Sequence, residues 1–441
     1  MRRLHKGDNL MNTNRHATKT VLSGLCAIGL LGGAQAALGS PSDDMVCPGF
    51  RIWVSSENNA NANENNGFMS VFCGMPPYNN LAIIDSTQKK SHHPWVSPDG
   101  EHVIGDNRKG DSVTFYNVDT LTVDTSVGSG VLPVGDDPTH MQWTRDSHFA
   151  FIGNTGKVAN GGGYVSVIDV EHQVEVAQVP TDIADRRSGT HDGVMTPDGK
   201  YVYFGNNKWN SAYKISTSEE DGFPLMQEIS FGLFGNAPNK VKPNGLRITP
   251  DGSKLYVVNV EGSVAVIQLN GEHPDTVIKQ IDIRNGFAKP GSHNPRITAD
   301  GRWVYVGNRS SGQVAVIDAG IDEVVKFIDA GPGANTPDFT PNGRYSVVPN
   351  QSTDFVSVID VQGDVSLGIP PHTEVAEIPT GLGPHNVRFS PDGKTAFVTC
   401  KNDSVVSVID METLSFKYNL DVPANPNGLI IQLTETDDDD D

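Results

Sequence analysis

A short turn motif returns throughout the chain and limits what it can fold into. "SPDG" at Ser97 recurs as "TRDS" at Thr144, "TPDG" at Thr196, "TPDG" at Thr249, "TADG" at Thr298, "TPNG" at Thr340 and "SPDG" at Ser390. Each turn follows one short apolar run and precedes another, such as "KYVYFGN", "SKLYVVN" or "RWVYVGN". A third run comes next ("GYVSVIDV", "QVAVIDA", "VVSVIDM"), then a fourth ("VEVAQVPT", "EVVKFIDA", "EVAEIPT"). Val, Ile and Tyr alternating with polar residues, punctuated by Gly, Asp and Asn, mark half-buried antiparallel strands. Four strands per unit at this spacing is a propeller blade. The expected fold is all-β, a single β-propeller over residues 47–434.

The two ends complete the ring. "PNGLIIQL" near the C-terminus repeats the first-strand motif of "PNGLRIT", yet no second strand follows it. Residues 50–86 hold three strands without a first. Joining the C-terminal strand to them closes the ring and removes the exposed edges. Seven complete blades and this composite make eight; seven remain if one repeat is irregular. Cys47 and Cys73 flank the hairpin "FRIWVSS…GFMSVF", whose antiparallel pairing brings its ends together, so a disulfide is expected there. Cys400 is left as a buried structural thiol. It stands where six other blades have Asn (Asn107, Asn154, Asn206, Asn259, Asn308, Asn350), read as left-handed turn positions.

The N-terminus reads as a secretory signal over residues 1–36. Arg15 and Lys19 precede "VLSGLCAIGLLGG" and the small-residue pattern "AQA". The apolar run is too short to span a bilayer, so a periplasmic or secreted chain with no membrane span after processing is expected. Residues 37–46 read as a linker and 435–441 as a solvated acidic tail. Removing the leader's five Lys/Arg and one Asp from totals of 33 and 53 leaves a net charge of −24. Nucleic acid is a poor partner for such a chain.

These repeats resemble the YVTN family of β-propellers, through "SVIDV", "AVIDA" and "SPDG". The resemblance implies the fold, not the function.

Function is written in one aligned slot. The residues five and four before each turn Ser/Thr are His92–His93, Thr139–His140, His191–Asp192, Asn244–Gly245, His293–Asn294, Asn335–Thr336 and His385–Asn386, with Asn427–Gly428 in the closing strand. Six of the 11 histidines outside the leader fall in these 16 positions. First strands line a propeller's channel, so His92, His93, His140, His191, His293 and His385 are expected to form a ring at one mouth. Neutral imidazoles gathered in this way suit a metal, copper first. Asp192, the one carboxylate in the slot, is a candidate general base, an orienter of a neighbouring imidazole, or a turn residue.

The loops that open on the same face carry Arg108, Lys109, Lys208, Arg309 and Lys401, a basic rim able to focus a small anion or small-molecule substrate. The histidine pattern is similar to the copper propellers of nitrous-oxide reductase and thiocyanate dehydrogenase. That resemblance implies the six histidines as copper ligands and an exported copper-dependent oxidoreductase. Without a paired-cysteine copper domain, electrons would come from an external cytochrome or cupredoxin. Blade number favours another reading, a haem d1-binding propeller of the cytochrome cd1 type. A metal-free binding propeller and a seven-bladed lactonase are further alternatives. No "CxxCH", Walker or Rossmann pattern is present.

Overall fold

The computed structural model describes residues 47–58, 66–156, 163–181, 189–232 and 242–434. The leader, the linker and the acidic tail expected from sequence lie outside them. The described residues form eight antiparallel sheets in a ring, seven of them meanders of strands in chain order. The innermost strands are Ser91–Val96, Pro138–Trp143, Thr190–Met195, Pro243–Ile248, Ser292–Ile297, Asp338–Phe339, Pro384–Phe389 and Pro426–Thr434. We number the blades 1 to 8 in that order. In blade 1 the fourth strand is split: Thr122–Val123 and Val131–Pro133 both pair with Ser112–Asn117.

Blade 8 is the composite. Pro426–Thr434 pairs antiparallel with Gly49–Ser56, followed by Asn66–Cys73 and Asn80–Lys89. Both seams of this blade are apolar. Ile52, Val54 and Phe72 pack on Phe397 and Val406 of blade 7, while Trp53, Met69 and Val71 pack on Val103 and Tyr116 of blade 1. Cys47 and Cys73 are disulfide-bonded across the mouth of the hairpin.

Every blade is sandwiched between two others. Second and third strands are therefore buried on both faces and read as unbroken apolar runs, as in Val202, Tyr203 and Phe204. Fourth strands reach solvent and alternate, as in Val174–Pro180. The repeated turn holds itself with one carboxylate. In blade 3 Thr196 Oγ1 donates to Asp198 Oδ1 at 2.6 Å, and Lys200 N donates to the same oxygen at 3.1 Å. Gly199 takes φ 72°, a conformation that suits glycine.

The Asn residues closing the second strands are not left-handed. They are buried, and most donate from Nδ2 to a third-strand hydroxyl: Asn107 to Thr114 at 2.9 Å, Asn154 to Ser166 at 2.9 Å and Asn350 to Ser357 at 2.9 Å. Their role is to satisfy polar groups between the second and third strands of a blade, not to turn the chain. Cys400 stands buried in the equivalent place beside Ser407 Oγ, and burial pushes its thiol pKa up.

Each innermost strand also carries one extra residue against its neighbour. Ser91 pairs with Asn107 and Pro94 with Gly105, three residues against two. The same surplus occurs in blades 2, 3, 4, 5, 7 and 8. In blade 6 four residues from Ala334 to Asp338 face three from Asn350 to Val347. This bulge falls on the histidine slot in all eight blades.

Candidate functional site

A bulge breaks the two-residue alternation of a strand and re-aims its side chains. Consecutive residues can then face the same way, which is how His92 and His93 both reach the channel. All six slot histidines line one cavity of about 390 Å³. A wider surface groove of about 740 Å³ beside Trp303 and His372 contains no comparable cluster.

The first slot position alternates around the ring. His92, His191, His293 and His385 stand on blades 1, 3, 5 and 7, while Thr139, Asn244, Asn335 and Asn427 separate them. Each of the four has its Nδ1 tied. His191 Nδ1 lies 3.0 Å from Asn244 O, His385 Nδ1 3.4 Å from Asn427 O and His293 Nδ1 2.7 Å from Thr336 Oγ1, each partner on the next blade. His92 Nδ1 lies 3.2 Å from Asp106 Oδ2. Opposite a carbonyl or carboxylate Nδ1 carries the proton, which leaves the Nε2 lone pair of His92, His191 and His385 available.

His93 and His140 join the ring from the second position. The rings of His92 and His93 are 4.8 Å apart, those of His93 and His140 5.5 Å, and those of His140 and His191 4.9 Å. Burial holds all six imidazoles below the usual histidine range, with His140 down to about 3. Neighbouring cations reinforce the shift, Arg108 and Lys401 at His92 and Lys401 and Arg309 at His385. At neutral pH the ring is uncharged.

Asp192 does not face the cavity. It is 1 % exposed and accepts from Gly193 N at 3.0 Å, Leu246 N at 3.2 Å and Arg247 Nη1 at 3.1 Å, with His140 Nδ1 3.7 Å away. Burial alone would raise its pKa, but Arg247, His140 and His191 outweigh that and lower it. The arrangement braces Arg247 and His140, the place of the orienting alternative rather than of a general base.

Of the basic rim, Arg108, Arg309 and Lys401 line the cavity together with Lys90, whereas Lys109 and Lys208 are exposed and do not. Arg108 is paired with Asp137 at 2.8 Å, and Lys401 lies 3.6 Å from Glu57. Arg309 has a neutral partner, Asn335 Oδ1 at 2.9 Å, and burial lowers its pKa to about 10.

Sequence reasoning missed two groups. Arg247, Arg296 and Arg388 also line the cavity, each three residues beyond the first slot position. The signal was present in "NGLR", "HNPR" and "HNVR" but needed the bulge to be read. Asp106 is fully buried behind His92; its Oδ1 accepts from His93 N at 3.2 Å and from Trp95 Nε1 at 3.0 Å. Burial raises its pKa to about 7. The cavity thus presents seven cationic side chains and one carboxylate, Glu57, in a chain of net charge −20.

The family model described as Lactonase, 7-bladed beta-propeller matches residues 226–432, just under half of the chain. Its blade number differs from the eight seen here. No curated protein matches the chain in sequence. Among solved structures, dihydro-heme d1 dehydrogenase NirN in complex with DHE is similar with a TM-score of 0.67 and 17% identity, over 87% of this chain and 75% of that one. Kuenenia stuttgartiensis hydrazine synthase matches with a TM-score of 0.52 and 22% identity, over 73% and 95%. The periplasmic gluconolactonase PpgL of Pseudomonas aeruginosa matches with 0.55 and 17%, over 87% and 99%. At these identities the fold is what is shared.

Proposed function

We propose that this chain is an exported cofactor-binding propeller whose channel mouth takes a carboxylate-bearing iron tetrapyrrole of the haem d1 class. The observation that carries the reading is the mixture in one cavity: neutral imidazoles with free Nε2 atoms beside a surplus of cations. A tetrapyrrole of this class asks for both, a nitrogen ligand for its iron and basic groups for its carboxylates. His92, His191 and His385 would supply the ligand; Lys90, Arg108, Arg309 and Lys401 would hold carboxylates. Trp95 and Leu429 give the same cavity an apolar flank. NirN, bound to DHE and similar in fold, is consistent with this use of a propeller. When bound, the iron supplies reversible electron transfer. The chain's own part is to orient the macrocycle, to keep its imidazoles neutral by burial, and to draw anions into the mouth. Electrons would pass to an external carrier.

Copper is the second reading, favoured by the run of touching rings His92, His93, His140 and His191. It fits less well. Among the described residues no three of these histidines bring nitrogens within 4.8 Å of one another; the one such triple of ligand atoms is Asp99, Glu101 and His102 on a surface turn. A bare cation would also meet seven positive side chains.

Metal-free protein mixed in parallel with haem d1 and with copper(II), then desalted, separates the two readings. Retained tetrapyrrole with shifted visible bands, lost in His191→Ala or His385→Ala, is expected. Stoichiometric retained copper without retained tetrapyrrole would sink the haem reading.

A further inference from the structure

Three residues beyond the imidazole ring, about 7 Å further along because the bulge makes three residues cover two partner positions on strands that rise about 3.3 Å per residue, the channel changes character. At that level the blades present, in order, Trp95, Gln142, Val194, Arg247, Arg296, Asp338, Arg388 and Ile430. The three arginines cluster on one side, and all face the cavity that the histidines line. They adopt one posture. Each donates from Nη1 to the carbonyl of the residue before it: Arg247 to Leu246, Arg296 to Pro295 and Arg388 to Val387. Three blades thus build the same guanidinium placement.

Their counter-charges are too few and set to the side. Asp338 is shared, with Arg296 Nε at 3.5 Å and Arg388 Nη1 at 3.1 Å. Asp192 serves Arg247 at 3.1 Å. Three guanidinium groups therefore stand against two carboxylates. Arg296 lies between the other two, and its contacts leave most of its five N–H donors uncommitted. Burial, then the nearness of Arg247, lowers its pKa to about 9, still charged at neutral pH.

We propose that Arg247, Arg296 and Arg388 form a second binding site in the channel, specific for a small oxyanion of carboxylate size. A two-oxygen anion matches the fork of a guanidinium, and a third cation completes its charge. The imidazole ring alone would not define such a site, because it is neutral and lies nearer the mouth. The site stands whether or not a tetrapyrrole occupies the ring. Its occupant has two sources, a free anion drawn in as substrate or a carboxylate of the bound cofactor, and both use the same chemistry.

The test is calorimetric titration of cofactor-free protein with sodium formate, sodium nitrite and sodium sulfate, against sodium chloride at equal ionic strength. Formate and nitrite are expected to bind saturably at one site. Arg296→Gln and Arg388→Gln should each weaken that binding at least tenfold, while Arg302→Gln, outside the channel, leaves it unchanged. Arg296→Lys keeps the charge opposite Asp338 but loses the fork, so it should fold normally by circular dichroism and still bind several-fold more weakly. Repeating the titration on haem d1-loaded protein identifies the source: persistent binding marks a free anion, and lost binding marks the cofactor's own carboxylate. No saturable binding beyond chloride, or equal affinity in Arg296→Gln, would overturn the proposal. Neither result depends on whether haem d1 binds.

Discussion

Asp106 offers a clean separation of stability from site chemistry. Its Oδ1 accepts from His93 N at 3.2 Å and Trp95 Nε1 at 3.0 Å, while Oδ2 faces His92 Nδ1 at 3.2 Å. Asp106→Ala strips the acceptor from three donors at a fully buried position. At about 1–3 kcal/mol for each buried group left unsatisfied, and with the channel able to rehydrate His92, the lost acceptors cost about 3–5 kcal/mol, of which relief of the buried charge offsets a part. Asp106→Asn is subtler. Its carbonyl oxygen can keep both Oδ1 bonds, and its amide then points N–H at His92 Nδ1. Only an unprotonated Nδ1 can accept, so the imidazole must move its proton to Nε2, the atom otherwise free to bind metal. We expect a cost of only about 1–2 kcal/mol together with a switched tautomer. Urea unfolding measures the first, and long-range proton–nitrogen NMR of the imidazole reads the second. Both belong at pH 8, above the value of about 7 at which the wild-type carboxyl takes up a proton. Asp106→Ala unfolding within about 1 kcal/mol of wild type, or Asp106→Asn keeping the proton on Nδ1, would rule out this role for Asp106.

Other consequences follow from particular contacts. A Cβ on Gly428 would lie 2.4 Å from His93 Nδ1 and 2.8 Å from His93 Cα, so Gly428→Ala should cost about 1–3 kcal/mol and displace His93; an unchanged melting temperature contradicts this. The Cys47–Cys73 disulfide closes a loop with a sequence separation of 26. Replacing both cysteines with Ala should lower unfolding stability by about 3.5 kcal/mol from chain entropy, and a loss below about 1 kcal/mol would argue against that role. His372 is buried against Tyr305 Oη at 2.6 Å, and burial lowers its pKa to about 4. The folded imidazole thus takes up its proton later than the unfolded one, at about 6.5. Its stabilisation is complete above about pH 6.5 and is lost as pH falls toward 4. From pH 6.5 to 5 the loss should be about 2 kcal/mol in wild type relative to His372→Gln; parallel stability curves would exclude it.

Most of the architecture was legible because it repeats. The turn motif fixed the blade register, and the orphan strand "PNGLIIQL" announced the composite blade that the structure pairs with Gly49–Ser56. The Cys47–Cys73 bridge followed from hairpin geometry. The slot histidines were legible for the same reason, since equivalent positions in a ring must converge. What remained hidden depends on features without a residue signature. The bulge is a backbone property, and until it is known the residue three further on cannot be assigned a side; Arg247, Arg296 and Arg388 were lost for that reason. Asp106 sits inside the apolar run "HVIGDN", where nothing in the alternation marks its carboxylate. Asp192 carried three readings from sequence, and only the structure puts it behind the wall, beside His140 Nδ1 at 3.7 Å, because its neighbour His191 takes the channel. The second-strand Asn residues were misread as turn formers, because Asn serves left-handed turns and buried hydrogen bonds equally well. Lys109 and Lys208 show the limit of loop reading: adjacent residues in a tight turn point apart, so Arg108 lines the cavity and Lys109 meets solvent.

In the proposed function, imidazole nitrogens and basic side chains act together on one carboxylate-bearing macrocycle. The most direct measurement is a visible-absorption titration of metal-free protein with haem d1 and, separately, with its carboxylate-esterified form. One tightly bound equivalent of the acid, with shifted bands, is expected, and an ester that binds at least about a hundredfold more weakly, from the loss of two or more charge-assisted contacts. Equal affinity for acid and ester, or no band shift with either, would contradict it.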